Sequence, residues 1–170
     1  MMNSVNFKVV IVGDEYVGKT SCIRRFIDDR FVENYKPTLG FEISVKTLQL
    51  QETTVILSIW DLAGQGLFEP MRKAYYEGGR GFFVVFDLTN QNTFDHVGNW
   101  ANEIMATVPG APIIIIGNKA DLPDQVVLPE TISQKCIELG LGNPIITSAR
   151  TGEGILDAFQ QLSEQILSKM

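Results

Sequence analysis

Cysteine, histidine and positive charge are all scarce in this chain: two cysteines, one histidine, and 14 basic against 20 acidic residues among 170. Cys22 and Cys136 make no metal-ligand spacing and are too few for a disulfide framework, so two buried thiols in a reducing compartment are expected. His96, on an expected helix beside Asp95, reads as a solvated surface residue rather than an acid-base catalyst. A net charge of −6 lacks the cationic field that general nucleic-acid binding needs, so no nucleic-acid partner is expected. A small anionic ligand is still allowed, because a few local donors can meet it. Apolar runs are short of the ~20 residues that cross a bilayer, so no transmembrane span is expected. The start, Met1 to Lys8, has no signal-peptide core. Repeats, low-complexity tracts and linkers are missing as well. What remains is a chain with 45% apolar residues, enough to build one core across residues 1–170.

Strand and helix signals alternate along it. Phe7 to Val12, Gly81 to Leu88 and Pro112 to Ile116 are dense apolar runs, as strands buried on both faces should be. Val55 to Trp60 is another strand, and Pro144 to Thr147 a short last one. Phe41, Ile43 and Val45 alternate with polar residues, which predicts a half-buried strand with these three turned inward. Gln49 to Thr53 reads as a hairpin connection. Helices are predicted over Gly18 to Asp29, Phe68 to Glu77, Thr93 to Thr107, Pro129 to Leu139 and Ile155 to Ser168. In the last, Ile155, Phe159, Leu162 and Ile166 mark one buried face. The pattern predicts an α/β fold, a mostly parallel sheet with helices on both faces. Ligands of such sheets bind at the carboxyl ends of the strands.

One such end carries Gly13-Asp14-Glu15-Tyr16-Val17-Gly18-Lys19-Thr20. The spacing Gly-x4-Gly-Lys-Thr, between a buried-type strand and a helix, reads as a phosphate-binding loop. Glycines let successive N–H groups turn toward an anion, and the following helix adds its positive end. Lys19 can reach β- and γ-phosphates, and the Thr20 hydroxyl can hold Mg²⁺. The loop alone does not separate ATP from GTP.

Three further segments do. Asp61, at a strand end, can hold Mg²⁺ through water, and Gly64 exposes an N–H that can meet a γ-phosphate. In Asn118-Lys119-Ala120-Asp121, the Asp121 carboxylate can accept from guanine N1–H and the exocyclic amine. Adenine offers no such pair of donors, and a buried unpaired carboxylate is costly. In Thr147-Ser148-Ala149-Arg150, the Ala149 N–H can meet guanine O6. These segments all follow expected strands, so they should converge on one rim.

Together they resemble the small GTPases of the Ras superfamily over nearly the whole chain. Lys8 to Asp14, Ile59-Trp60-Asp61, Tyr75 to Gly78 and Leu39 to Glu42 are most similar to the Rab branch. The resemblance implies a P-loop fold with a six-stranded mixed sheet, one antiparallel edge strand and five helices. It implies GTP/GDP and Mg²⁺ as ligands. Nucleotide contacts would come from Gly13, Glu15, Tyr16, Val17, Gly18, Lys19, Thr20 and Ser21, then Tyr35 and Gly64, and from Ser148, Ala149 and Arg150 at the base. Thr38 matches the threonine that joins Mg²⁺ and γ-phosphate, and with Thr20 and Asp61 completes the metal set. Phe31 matches an aromatic at the guanine edge. Asn118 would bond the base, with the Lys119 stem along its face and Asp121 below. Gln65 matches the residue that orients the attacking water, acting with Lys19 and Thr38. Effector, exchange-factor and activating proteins would read residues 33–42 and 64–78 of a monomer.

Some positions depart from that pattern. Glu15 and Tyr16 stand where small residues are usual; their side chains are expected to face solvent while the backbone serves the phosphates. They would also obstruct an arginine finger supplied by an activator. Gly66 replaces a usual Glu, and Arg150 a usual Lys with little effect expected. The chain ends at Met170 with no cysteine for prenylation, and residue 2 is not the glycine of myristoylation. A cytoplasmic protein is expected, peripheral on a membrane if a lipidated tail lies beyond this sequence. Trp60 and Trp100 read as packing residues, and Asp28-Asp29 as an exposed helix end. The leading function is a GTP-hydrolysing switch linked to membrane traffic. The alternatives are a scaffold that holds nucleotide with little turnover and a nucleoside phosphate kinase.

Overall fold

Side-chain alternation along the central strands sets the architecture. In β1 (Asn3–Gly13), Phe7, Val9 and Ile11 face one way and Val10 and Val12 the other, and all are buried. The same split runs through β4 (Gly81–Asp87) and β5 (Ile113–Asn118), where every residue is buried. The protein, seen here as a computed structural model describing residues 3–33, 36–64 and 69–170, therefore has a core on each face of its sheet. Strand order is β2-β3-β1-β4-β5-β6, with β2 as Phe41–Leu50, β3 as Thr53–Leu62 and β6 as Ile145–Ile146. Only the β2–β3 pair is antiparallel.

One core layer carries α1 (Lys19–Asp28) and, at the far end of the chain, the helix Ile155–Ser168. Phe26 and Phe159 stack there with ring centroids 3.9 Å apart. The opposite layer carries α2 (Glu69–Tyr76), α3 (Gln91–Asp95), α4 (Val97–Thr107) and α5 (Pro129–Glu138), so the terminal helix is α6. The expected helix Thr93 to Thr107 thus begins earlier and is broken at His96. Its start is fixed by Asn90, whose side chain accepts from the Asn92 N–H. Phe68, the expected start of α2, lies outside the described residues.

One expectation inverts. Leu48 and Leu50 supply the buried face of β2, while Phe41, Ile43 and Val45 are 38%, 48% and 60% exposed. Lys46, Leu48 and Leu50 lie on the side of the sheet that α1 and α6 cover. On the other side of this edge strand Phe41 packs against Trp60 and against Tyr75 of α2, while Ile43 and Val45 stay exposed. Period-two patterning tells which residues share a face, not which face the rest of the chain covers.

Candidate functional site

β1, β3, β5 and β6 are parallel to one another or linked through parallel neighbours, so their carboxyl ends meet on one rim. β1 is flanked by β3 on one side and β4 on the other, so successive connections diverge there, the kind of switch point where α/β sheets hold ligands. The loop Gly13 to Gly18 closes over that point. Gly13 has φ +145°, and a Cβ there would sit 2.2 Å from the Val85 carbonyl oxygen. Gly18 has φ +97°, and its absent Cβ leaves room for the Asn118 amide, 2.4 Å from where it would lie. Only glycine fits either position.

α1 starts at Lys19 with no side-chain cap at Gly18, leaving its first N–H groups available to an anion. Lys19 is buried, with Nζ donating to the carbonyls of Gly13 at 2.9 Å and Asp14 at 2.6 Å. Burial lowers its amine to a pKa of about 8, against the pull of Asp61 and Asp14. A buried cation held by carbonyls, beside a loop of N–H donors, is matched by a polyanion.

Beside it, three oxygen side chains from three segments converge. Thr20 Oγ1 is bonded to Asp61 Oδ2 and lies 2.8 Å from Thr38 Oγ1, which is 3.4 Å from the same Oδ2. The other carboxylate oxygen, Asp61 Oδ1, is buried with no hydrogen-bond partner among the described residues. Burial raises the Asp61 pKa, partly offset by Thr20 and Lys19. An orphaned buried oxygen next to two hydroxyls is a hard-donor set that fits Mg²⁺. Gly64 lies against the loop: a Cβ there would be 2.4 Å from the Glu15 nitrogen and 2.5 Å from the Asp14 carbonyl carbon.

Next to this end, a pocket of about 270 Å³ lies between Tyr16, Gly18 and Ser21 on one side and Asn118, Lys119, Asp121, Ala149 and Arg150 on the other. Asn118 is buried and bonded through both its amide nitrogen and its oxygen. Its amide donates to the Val17 carbonyl at 3.0 Å, and its oxygen accepts from Thr147 Oγ1 at 2.9 Å and the Ala149 N–H at 3.2 Å. Ser148 Oγ donates to Asp121 Oδ1 at 2.7 Å, holding that carboxylate at the pocket floor. Lys119 takes φ +68° and reaches Asp87 Oδ2 at 2.8 Å, which lays its stem along the pocket wall. Phe31, Val32 and Glu33 form the opposite lip, and Arg150 spans to it, with its guanidinium 5.9 Å from the Phe31 ring and 3.4 Å from Glu33 Oε1.

Lys19, Thr20, Thr38, Asp61 and Gly64 are therefore gathered at one end, and Asn118, Lys119, Asp121, Ser148 and Ala149 at the other. Gln65, Gly66 and Tyr35 lie outside the described residues. Tyr16 is 57% exposed, as expected, yet it also lines the pocket and holds φ +64°, a left-handed conformation unusual for a side chain of its size. His96 is not simply solvated: Nδ1 donates to Asp14 Oδ2 on the phosphate loop. Trp100 packs against the core and also donates to Asp14. Arg25 contacts the base turn, a role that its place in the chain did not signal.

The family model for the Ras family matches residues 8–168. The chain is 36% identical over 166 residues to the GTP-binding protein ypt1 of Schizosaccharomyces pombe, across 96% of this chain and 81% of that one. It is also 36% identical over 165 residues to the Ras-related protein Rab-3B of Homo sapiens, across 96% and 75% of the two chains. With these matches and its six-stranded sheet, the chain belongs to the Ras family of small GTPases, on its Rab branch.

Proposed function

We propose that the pocket binds GTP with Mg²⁺, hydrolyses it slowly to GDP and phosphate, and uses the change to control partner proteins in membrane traffic. The observation that carries this is the buried Lys19 and the uncapped start of α1 set beside a pocket that Gly18 and Ser21 line on one side and the Asn118–Asp121 floor on the other. Lys19 leaves its carbonyl partners only for stronger acceptors, and the β- and γ-phosphate oxygens are such acceptors. Thr20, Thr38 and Asp61 would hold the Mg²⁺. The ion, when bound, neutralises charge between the β- and γ-phosphates. The chain's own part is to place donors where charge develops: Lys19, the loop amides and the Gly64 N–H. Gln65 is assigned the attacking water on family resemblance. The Asp121 carboxylate selects guanine, because an adenine would leave it unpaired.

Thr38 and Gly64 connect this chemistry to residues 33–42 and 64–78, and losing the γ-phosphate removes what holds both segments. Effectors, exchange factors and activators would read that surface. It is continuous with the exposed apolar face Phe41, Ile43 and Val45 and with Leu39, which is 89% exposed. Contiguous apolar surface of this kind suits protein partners. No helix among the described residues is long and apolar enough to cross a membrane, so action on one would be peripheral. Tyr16, at the pocket mouth, obstructs an arginine finger, and Glu15→Gly/Tyr16→Gly should respond to such an activator more strongly than the wild type.

Single-turnover hydrolysis of preloaded GTP tests the reading. Release of phosphate by the wild type, and its loss in Gln65→Leu, is expected. A wild type that keeps GTP intact over many hours would favour the nucleotide-holding scaffold instead.

A further inference from the structure

Arg25 donates four hydrogen bonds from its side chain. It lies in the last turn of α1, where a cation is favoured. Its Nε donates to the Ala149 carbonyl at 2.9 Å and its Nη2 to the Arg150 carbonyl at 2.6 Å. Its Nη1 donates to Asp29 Oδ1 at 2.8 Å and to the Asp29 carbonyl at 3.1 Å, fixing the left-handed residue that ends the helix. The side chain is 16% exposed, and its Cδ lies 3.6 Å from where a Cβ on Gly152 would be.

We propose that Arg25 is a positioning residue for base recognition: it ties the Ala149–Arg150 turn to the helix that begins at the phosphate loop. The inference rests on the guanine reading of the pocket. The peptide units around Ala149 are held from two sides. The N–H goes to Asn118 Oδ1, and the carbonyl goes to Arg25. Fixing the carbonyl fixes the direction of the turn and hence where the Ala149 N–H points when a base takes the place of its current contact. Because α1 is one rigid element from Lys19 to Asp28, the same tie sets the spacing between the phosphate end and the base end. Charge-assisted bonds to two successive carbonyls need a planar fork, which arginine has and lysine lacks. The Asp121 edge is held separately, through Ser148 Oγ, so Arg25 should bear on the 6-position of the base and not on the 2-amino group.

The test compares GDP, 6-thio-GDP and inosine diphosphate on the full chain, as wild type, Arg25→Lys and Arg25→Ala. 6-Thio-GDP weakens the acceptor that meets the Ala149 N–H, and inosine diphosphate lacks the 2-amino group. Arg25→Ala is expected to weaken GDP by about ten-fold or more. It should shrink the preference for GDP over 6-thio-GDP while leaving the preference over inosine diphosphate unchanged. Arg25→Lys, which keeps the charge and the packing stem, should fall between and guards against an alanine variant that does not fold. Equal loss of all three ligands in Arg25→Lys, or no loss in either variant, would overturn the proposal. A wild type that binds ADP as well as GDP would overturn the guanine reading itself.

Discussion

The indole Nε1 of Trp100 donates to Asp14 Oδ1 at 2.9 Å, joining α4 to the phosphate loop. His96 holds the other oxygen of the same carboxylate. The backbone carbonyl of Asp14 is one of the two that Lys19 grips. Whatever fixes the Asp14 side chain therefore fixes one wall of the lysine's cradle.

Trp100→Phe keeps the packing and removes the donor. A hydrogen bond to a charged acceptor contributes ~1.5–3 kcal/mol, and some of that should appear as lost thermal stability. The phosphate end should loosen, so GDP release should speed several-fold with guanine-over-adenine selectivity unchanged. Stopped-flow release of a fluorescent GDP analogue measures this, and an unaltered rate would mean that the tie is incidental.

Gly64→Ala places a methyl against backbone on the phosphate loop, 2.8 Å or less from three of its atoms. Backbone cannot swing away as a flexible side-chain end can, so the segment after Asp61 must retreat. A misplacement of about 1 Å can cost ~10²-fold in rate. Single-turnover hydrolysis should fall by about that factor while GDP affinity changes little. Parallel losses in both would place Gly64 in binding instead.

Asp61 carries a buried oxygen with no hydrogen-bond partner among the described residues, a cost that a divalent cation offsets. Asp61→Asn should therefore weaken Mg²⁺ binding by ~10–100-fold. Chelation with EDTA should speed GDP release from the wild type and have less effect on the variant. Equal acceleration in both would exclude Asp61 from the metal set.

Glu103, on α4, faces burial that would raise its pKa. Hydrogen bonds from Arg72 and Tyr76 and the charge of Arg72 outweigh burial and hold it below the ordinary glutamate range. The folded protein then binds fewer protons than the unfolded chain, so this group's contribution is complete above the unfolded pKa of ~4.3. It is lost as pH falls through the lower folded value. Glu103→Gln should flatten the acid side of the stability–pH curve, as followed by urea unfolding, and reduce stability at neutral pH. An unchanged acid limb would contradict the assignment.

How far these contacts were legible in the sequence depended on their range. β1, β4 and β5 could be placed because continuous apolar runs leave no choice of face. The phosphate loop, Asp61 and the Asn118–Asp121 floor could be placed because each is a short pattern at a strand end. β2 was misread in orientation, since Phe41, Ile43 and Val45 share a face whose exposure depends on where α1 and α6 pack. The break at His96 falls two residues before Gly98, which itself lies within α4, so residue type does not mark the place. Arg25 reaches carbonyls 124 and 125 residues away, and no local pattern encodes such a contact. The same holds for Asp14 with Trp100, 86 residues apart.

Loading the protein with GTP, waiting, denaturing it and identifying the released nucleotide by chromatography tests the central claim most directly. The account predicts GDP, with adenine nucleotides absent even when ATP is present in excess. Release of ADP or ATP would contradict the guanine floor at Asp121. GTP recovered intact would contradict hydrolysis.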